Sequence, residues 1–304
     1  MTRLAAGVSE AIGHLYDATL EDLAAGRVEA PELHPAPVPG VSTVDVEVGT
    51  DPVVRTRRDR HDDAGVEGPR PAVVWAHGGG WMGGELDMPE ADAVARRLCA
   101  GLDAVVFSVD YRLAPGATYP AAMDDVVAAF DVAAADHEVD GDRITLGGAS
   151  AGGNLAAAAA QVLRDRGGAQ PVAVVLAYPA TDPIGGPYDS ERPDVCPPLL
   201  WFDQAMTSML FRVYLGGADP HPYAVPAAGD LAGLPPTLVT TSALDGLEDQ
   251  AVRYVGLLTA AGVDVTHHRA ADLLHGYLNM VGTVAAADAM LERHAAWIEE
   301  RIEP

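Results

Sequence analysis

A Gly-x-Ser-x-Gly pattern at residues 148–152 constrains the fold of this chain more than any other sequence feature. An apolar run at 144–146 precedes it, and an alanine-rich stretch at 154–162 follows it. This order predicts a buried strand, a turn of small residues and a helix, with Ser150 exposed at the turn. The helix N-terminus would stabilise negative charge beside the hydroxyl. The pattern therefore predicts a nucleophilic serine, and a plain small-residue loop is the alternative for the motif taken alone.

A second glycine-rich segment supports the nucleophile. The sequence His-Gly-Gly-Gly-Trp at 77–81 directly follows the apolar run 72–76. Consecutive glycines after a buried strand favour a place where backbone N–H groups face a cavity without side chains in the way. Together with the amide of Ala151, such groups would form an oxyanion hole, in which each donor contributes about 3 kcal/mol. A glycine run alone is usually a flexible loop, but its position before the pattern at 148–152 favours the catalytic interpretation.

A serine nucleophile needs a base, and ten histidines compete for that role. In this topology the acid and then the histidine follow the serine along the chain. His275 lies between the last predicted strand and the C-terminal helix, on a loop that can return to Ser150. His267 and His268 lie inside that strand and His294 lies in the helix, so we assign those three to structure or surface.

Asp245 is the predicted acid of the site. It ends the apolar run 237–244, at the sheet edge where active sites of open α/β sheets form. There it would orient the imidazole of His275 and stabilise its cation. Glu248 and Asp249 compete for the role, but both fall in the first turn of a predicted helix, where acids are favoured by the helix dipole.

These motifs resemble those of the hormone-sensitive-lipase-like branch of the α/β-hydrolases, a family of carboxylesterases. The resemblance runs from about residue 71 to the C-terminus, with matching segments at 77–80, 110–115, 119–122, 142–144, 178–179, 233–236, 260–263 and 275–277. It implies an α/β-hydrolase fold. It also implies the roles of nucleophile, base and acid for Ser150, His275 and Asp245, and an oxyanion hole formed by the amides of Gly79, Gly80 and Ala151.

The chain departs from the family pattern at three positions. Ala149 stands where the family usually has Asp or Thr, so the chain is not assigned to a subgroup. Gly246 stands where the acid is commonly followed by proline, and Gly116 replaces a usual acid. None of the three departures removes a predicted catalytic group.

The predicted architecture is one α/β catalytic domain spanning residues 1–304. With 49% hydrophobic residues the chain can bury a large core. An antiparallel hairpin around 49–52 is expected to precede a mostly parallel sheet flanked by helices. The eight predicted strands are 43–48, 53–57, 72–76, 104–109, 144–147, 172–178, 237–243 and 265–269. The predicted helices are 90–102, 122–135, 151–166, 247–261 and 285–302.

Two segments, about 1–40 and about 183–230, fall outside this alternation. The first has a helical pattern at 1–28 followed by a proline-rich linker, and the second contains an amphipathic stretch at 201–214. Together they are predicted to form a helical cap over Ser150. Because covering segments exclude water and select substrates, we expect specificity to reside in the insertion.

The predicted substrate-binding residues are aromatic or apolar: Trp81, Trp201, Phe202 and Met206. Further apolar residues of the insertion are candidates for the wall of an acyl pocket: Leu199, Leu200, Met209, Leu210 and Phe211. For any one of them, packing of the cap onto the body is the competing interpretation.

Charge excludes several partners. The net charge is −25, the pI is near 4.5, and every basic residue is an arginine. Such a surface repels nucleic acids and anionic membranes, so neither is expected as a partner. The absence of lysine fits a GC-rich genome or a high-salt cytoplasm, and the sequence leaves both open.

The remaining composition predicts a cytoplasmic protein without a metal or cofactor. Cys99 and Cys196 have no metal-ligand spacing with a partner, and two cysteines without a signal-like N-terminus fit a reducing compartment. No apolar run reaches transmembrane length. A homodimer through the last strand and the C-terminal helix is implied by the family resemblance alone.

These observations predict a serine carboxylesterase that acts through an acyl-enzyme on a small-molecule ester. The modest cap favours short to medium acyl chains. An amidase, formamidase or acyltransferase would use the same groups, so these remain alternatives. A non-catalytic receptor is a further alternative, because plant gibberellin receptors resemble this family. Those receptors have lost the catalytic histidine, whereas this chain keeps His275.

Overall fold

An eight-stranded sheet forms the centre of the molecule. The computed structural model describes residues 3–15, 38–48, 53–62, 68–183 and 191–303. The strands are β1 (Val41–Val48), β2 (Val54–His61), β3 (Arg70–Ala76), β4 (Val105–Val109), β5 (Val139–Ala149), β6 (Ala173–Ala177), β7 (Thr237–Leu244) and β8 (Val265–Leu274). Their order across the sheet is β1-β2-β4-β3-β5-β6-β7-β8. The predicted α/β-hydrolase architecture with eight strands is confirmed.

The sheet begins antiparallel and continues parallel, as predicted. β1 pairs with β2 and β2 with β4 in antiparallel register, and every later pairing from β3 to β8 is parallel. All five residues of β4 and of β6 are buried, because helices cover both faces of a parallel sheet. β1 at the edge alternates between exposed and partly buried residues instead. The predicted turn at 49–52 between β1 and β2 lies outside the described residues.

Helices pack on both faces of the sheet. The described helices are α1 (Val8–Ala11), α2 (Asp92–Leu102), α3 (Ala121–Ala135), α4 (Ala151–Arg166), α5 (Gln204–Leu215), α6 (Glu248–Ala260) and α7 (Ala285–Ile302). Buried residues of α3, α4, α5 and α6 share one hydrophobic cluster with the sheet, and those of α1, α2 and α7 share another. The sheet therefore separates two cores, which fix the strand ends that carry the site.

Two strands extend five residues beyond an end that the apolar pattern predicts. β5 begins at Val139, five residues before the predicted start, and β8 continues to Leu274, five residues beyond the predicted end. β8 stays paired with β7 across a register shift, so that Leu274 lies opposite Leu244. Polar residues interrupt the apolar pattern in both extensions, and strand pairing overrides local composition there. As a result, His275 directly follows β8, at the end of the sheet where the parallel strands have their carboxyl ends.

The described part of the N-terminal segment lies against β8. Val8 and Ile12 belong to the same hydrophobic cluster as Leu273, and the N–H of Ala5 donates to the carbonyl of Asp272 over 2.9 Å. Most of the predicted N-terminal part of the cap, including its proline-rich linker, falls at residues 16–37, outside the described residues. Residues 184–190, where the insertion opens, also lie outside them. The rest of the insertion contributes α5.

Candidate active site

Ser150 occupies a strained turn between β5 and α4. Its backbone has φ 54° and ψ −116°, which is unfavourable for a residue with a side chain. The small neighbours make this turn sterically feasible. A Cβ at Gly148 would lie 2.3 Å from the carbonyl oxygen of Gly152, and one at Gly152 would lie 2.0 Å from that of Ala76. Close backbone packing on both sides therefore holds the serine in place.

Three predicted residues contact one another in series. The Oγ of Ser150 lies 2.8 Å from Nε2 of His275, and Nδ1 of that ring lies 2.7 Å from Oδ2 of Asp245. The other oxygen of Asp245 accepts the N–H of Leu247 over 2.8 Å. Because the carboxylate accepts Nδ1–H, Nε2 is free to accept the serine proton. The serine, histidine and aspartate are only 8%, 6% and 2% exposed, respectively, which shields the series from water.

The competing acid and histidines lie elsewhere. Glu248 forms an ion pair with Arg269 over 2.6 Å, and does not contact the imidazole of His275. His267 bonds a threonine of β7. His294 also bonds a threonine of that strand, and burial lowers the pKa of its imidazole to about 3, so it stays neutral in the core.

Gly246 allows the insertion to approach the acid. A Cβ at this position would lie 2.5 Å from the backbone oxygen of Phe202. The ring of Phe202 packs with its centroid 4.4 Å from that of His275. The departure from the common proline therefore coincides with close packing of the insertion on the loops that carry Asp245 and His275.

Two of the three predicted oxyanion residues, one from the glycine-rich loop and one from α4, lie beside the serine. Gly80 and Ala151 line a small cavity together with Ser150. Ala151 is the first residue of α4, where backbone N–H groups have no partner within the helix. Gly79 does not line the cavity. It shapes the loop, because its φ is 118° and a Cβ there would lie 2.0 Å from the carbonyl oxygen of Gly83.

The segment at 110–112 supports this loop from behind. The hydroxyl of Tyr111 donates to the carbonyls of His77 and Gly78 over 2.9 and 3.2 Å. The rings of Tyr111 and His77 stack with centroids 4.4 Å apart, and burial lowers the pKa of the imidazole of His77. Arg112 then anchors the segment through an ion pair with Asp125 over 2.7 Å.

Glu90 is a buried carboxyl at the site that the sequence patterns did not single out. Its Oε2 accepts the N–H of Gly78 over 2.6 Å, and its Oε1 accepts the hydroxyl of Tyr178 and, at 3.4 Å, the amide of Asn279. In the sequence Glu90 begins a predicted helix, where an acid is expected for the helix dipole alone. The sequence feature that could have identified Glu90 as part of the site was its position shortly after the glycine-rich loop.

The cavity beside the serine is small. Its volume of about 10 Å³ is roughly the space of one water molecule. It is lined by Gly80, Trp81, Ser150, Ala151, Ala180, Phe202, Thr207, Leu210 and Leu247. Thr207 was not predicted to line it, because sequence periodicity does not show which face of the insertion meets the serine. Leu247 was not predicted either, and it lies outside the insertion, shortly after Asp245.

The structure brings two of the four predicted substrate-binding residues to this cavity. Trp81 and Phe202 line it, whereas Trp201 and Met206 line a separate hollow of about 570 Å³. The ring of Trp81 also stacks on Tyr214 of α5, with centroids 4.6 Å apart. Trp81 therefore packs the cap onto the body as well as bordering the cavity.

Within the described ranges, no group of three or more His, Cys, Asp or Glu side chains could hold a metal ion. None of the helices in that part of the chain is both long and apolar enough to cross a bilayer.

The mostly parallel sheet and the serine at its strand-to-helix turn define an α/β-hydrolase. A family model described as the alpha/beta hydrolase fold matches residues 73–279. The chain belongs to this family, in its hormone-sensitive-lipase-like branch, so the predicted family is confirmed.

Relatives named as esterases agree with the predicted class of enzyme, a hydrolase, and solved structures share the fold. Esterase LipI of Mycobacterium tuberculosis is 41% identical over 234 residues, which are 73% of this chain and 70% of the relative. Carboxylesterase NlhH of the same organism is 39% identical over 258 residues, which are 82% of this chain and 75% of the relative. The solved structure of DphMB1 has a TM-score of 0.83 at 33% identity and covers 99% of this chain and 100% of that one. An esterase of Pyrobaculum calidifontis has a TM-score of 0.76 at 34% identity, covering 87% and 86%.

Proposed function

We propose that this chain is a serine carboxylesterase that acts on small-molecule esters. The observation that carries the proposal is the contact series from Ser150 through His275 to Asp245 beside a cavity lined by Gly80 and Ala151. The relatives named esterase and carboxylesterase support hydrolysis of an ester bond.

The geometry supports a two-step reaction. Nε2 of His275 takes the proton of Ser150 while the serine oxygen attacks the ester carbonyl. Amides of Gly80 and Ala151 stabilise the oxyanion, and Asp245 stabilises the imidazolium. The imidazolium then donates its proton to the leaving alcohol, and an acyl-enzyme remains. Water, deprotonated by the same imidazole, hydrolyses that intermediate.

A panel of substrates tests the proposal. We expect saturable hydrolysis of p-nitrophenyl esters and little hydrolysis of the matched p-nitroanilides. A fluorophosphonate should add covalently to the peptide that contains Ser150, as observed by mass spectrometry. Faster turnover of anilides than of esters would favour the amidase alternative, and labelling elsewhere would contradict the nucleophile.

The cavity favours the short end of the predicted range of acyl chains. Leu210 of α5 closes the cavity against the oxyanion loop, since a Cβ at Gly80 would lie 3.2 Å from its Cδ2. We expect Leu210→Ala to raise kcat/KM for p-nitrophenyl hexanoate relative to acetate by about tenfold or more, the effect of making room for methylene groups. Parallel kinetics with the two esters measure this ratio.

Met209→Ala provides a matched control for this substitution. Met209 lies on the same helix but lines the separate hollow with Trp201. Its replacement should leave the ratio of hexanoate to acetate unchanged. Equal shifts in the two variants would show that Leu210 does not limit the acyl chain.

We also propose that the protein is cytoplasmic, that it forms a single domain and that it assembles as a homodimer. Cys99 and Cys196 are free and buried, and burial raises the pKa of each thiol to about 12. Such unreactive thiols fit a reducing compartment. Light scattering on the purified protein tests the dimer, and fractionation of the source cells tests the location.

A further inference from the structure

Glu90 joins the loops that carry the catalytic groups. One carboxyl oxygen holds the oxyanion loop at Gly78, and the other holds Tyr178 and Asn279. The amide of Asn279 also donates to the carbonyl of Gly276 over 3.2 Å, directly after the catalytic histidine. Through these contacts one buried side chain connects the loop after β3, the loop after β6 and the loop after β8.

The contact with Gly78 sets the distance between the oxyanion loop and the nucleophile. A Cβ at this glycine would lie 2.5 Å from Oε2 of Glu90 and 3.2 Å from Cβ of Ser150. The glycine therefore packs closely against both the carboxyl and the serine. A change in its hydrogen bond to Glu90 would shift the loop relative to the reacting carbonyl.

We propose that Glu90 is a positioning residue for ester hydrolysis, acting as a buried carboxylate. It holds the oxyanion loop against Ser150, and its negative charge stabilises the positive charge that His275 acquires during the reaction. This inference rests on the function proposed above, because it assigns a role within that reaction.

The contacts of Glu90 favour its ionised form. The N–H of Gly78, the hydroxyl of Tyr178 and the amide of Asn279 can all donate to it. Burial raises the pKa of the carboxyl, while the hydrogen bonds from Tyr178 and Gly78 and the charge of His275 oppose that shift. Three donors satisfy a carboxylate better than a protonated acid, which must donate a hydrogen bond itself.

The titratable neighbours of Glu90 include one group that gains a positive charge in the proposed reaction, His275. Among the described residues, Glu90 interacts electrostatically with the tyrosines at 111, 178 and 277 and with His275. Burial raises the pKa of all three phenols, so they stay neutral. Asp245 contacts the imidazole directly, and the ring centroid of Tyr178 lies 5.0 Å from that of the imidazole in a T-shaped arrangement. In addition to Asp245, the carboxylate of Glu90 is thus a second negative charge near the histidine.

The pH profile separates this electrostatic role from simple packing. A negative charge near His275 favours the protonated imidazole, which cannot act as a base. Glu90→Gln removes that charge, so the imidazole stays neutral to lower pH. We expect the acid limb of kcat/KM to move to lower pH by about 0.5–1 unit. We also expect kcat to fall about tenfold, because the imidazolium is less stable, with little change in KM.

Asp59→Asn is the matched control. Asp59 is another buried carboxyl, but its hydrogen bond comes from Thr43 of β1 and not from a catalytic loop. This variant should keep the kcat and the acid limb of the wild type, whatever it costs in thermal stability. A Glu90→Gln variant with an unchanged acid limb, or one that differs from wild type only in Tm, would overturn the proposal.

Two conservative variants carry the test if Glu90→Gln does not fold. Glu90→Asp keeps the charge but shortens the reach to Gly78, so kcat should fall while the acid limb stays in place. Tyr178→Phe removes one donor to the carboxylate and should also lower kcat, with the phenyl ring still packed on His275. Wild-type kcat in both variants would overturn the role of Glu90. Failure of the wild type to hydrolyse esters would instead contradict the proposed function.

Discussion

Replacing Ser150 with alanine should lower kcat for p-nitrophenyl acetate by about 10⁶-fold. The variant loses the oxygen that attacks the carbonyl, and no acyl-enzyme can form. The remaining acceleration would come from the oxyanion amides acting on a water molecule. Initial-rate and burst measurements at high enzyme concentration check both the rate and the loss of the acyl intermediate.

The Ser150→Ala variant should remain folded, because alanine keeps the Cβ and differs only by the hydroxyl. Ser208→Ala in α5 is a matched control, since its hydroxyl bonds the backbone oxygen of Pro183 and does not contact the histidine. That variant should retain wild-type kinetics. If Ser150→Ala instead hydrolyses esters with a burst like that of the wild type, the nucleophile lies elsewhere.

The residues proposed as nucleophile and base were accessible from sequence because both depend on local pattern and chain order. A strand, a turn of small residues and a helix can be identified within some twenty residues, and the turn places Ser150 in its strained geometry. His275 was selected by its position after the last strand. The register shift that extends β8 to Leu274 was not predictable, because it depends on pairing with β7.

Substrate contacts and buried support were less predictable, for physical reasons. Trp201 and Phe202 are adjacent in sequence and similar in chemistry, yet only Phe202 borders the cavity at the serine. The direction of each ring depends on how the insertion packs on the body. The sequence did not indicate a role for Glu90, because acids are favoured at the start of a helix whether or not they belong to a site. Only tertiary packing brings Gly78, Tyr178 and Asn279 to its carboxyl group.

The second large effect is expected for Asp245→Asn, which should lower kcat by about 10⁴-fold. In the wild type, one oxygen of Asp245 accepts the N–H of Leu247 and the other accepts Nδ1–H of His275. The asparagine oxygen would keep the bond to Leu247, so its NH₂ group would face Nδ1. The ring would then carry its proton on Nε2, which could no longer accept the proton of Ser150.

Glu248→Gln distinguishes this tautomer effect from a general loss of negative charge near the site. Glu248 was one of the two competing acids in the sequence, and it pairs with Arg269 of β8. Its amide variant removes one charge from the same segment of chain, yet kcat should stay within about threefold of wild type, as for loss of an ion pair whose arginine is solvent-exposed. Because both variants replace a carboxylate with an amide of equal size, their difference isolates the contact with Nδ1. A comparable loss in Glu248→Gln would mean that charge rather than the orientation of the imidazole governs the rate, and the role of Asp245 as the orienting acid would be contradicted.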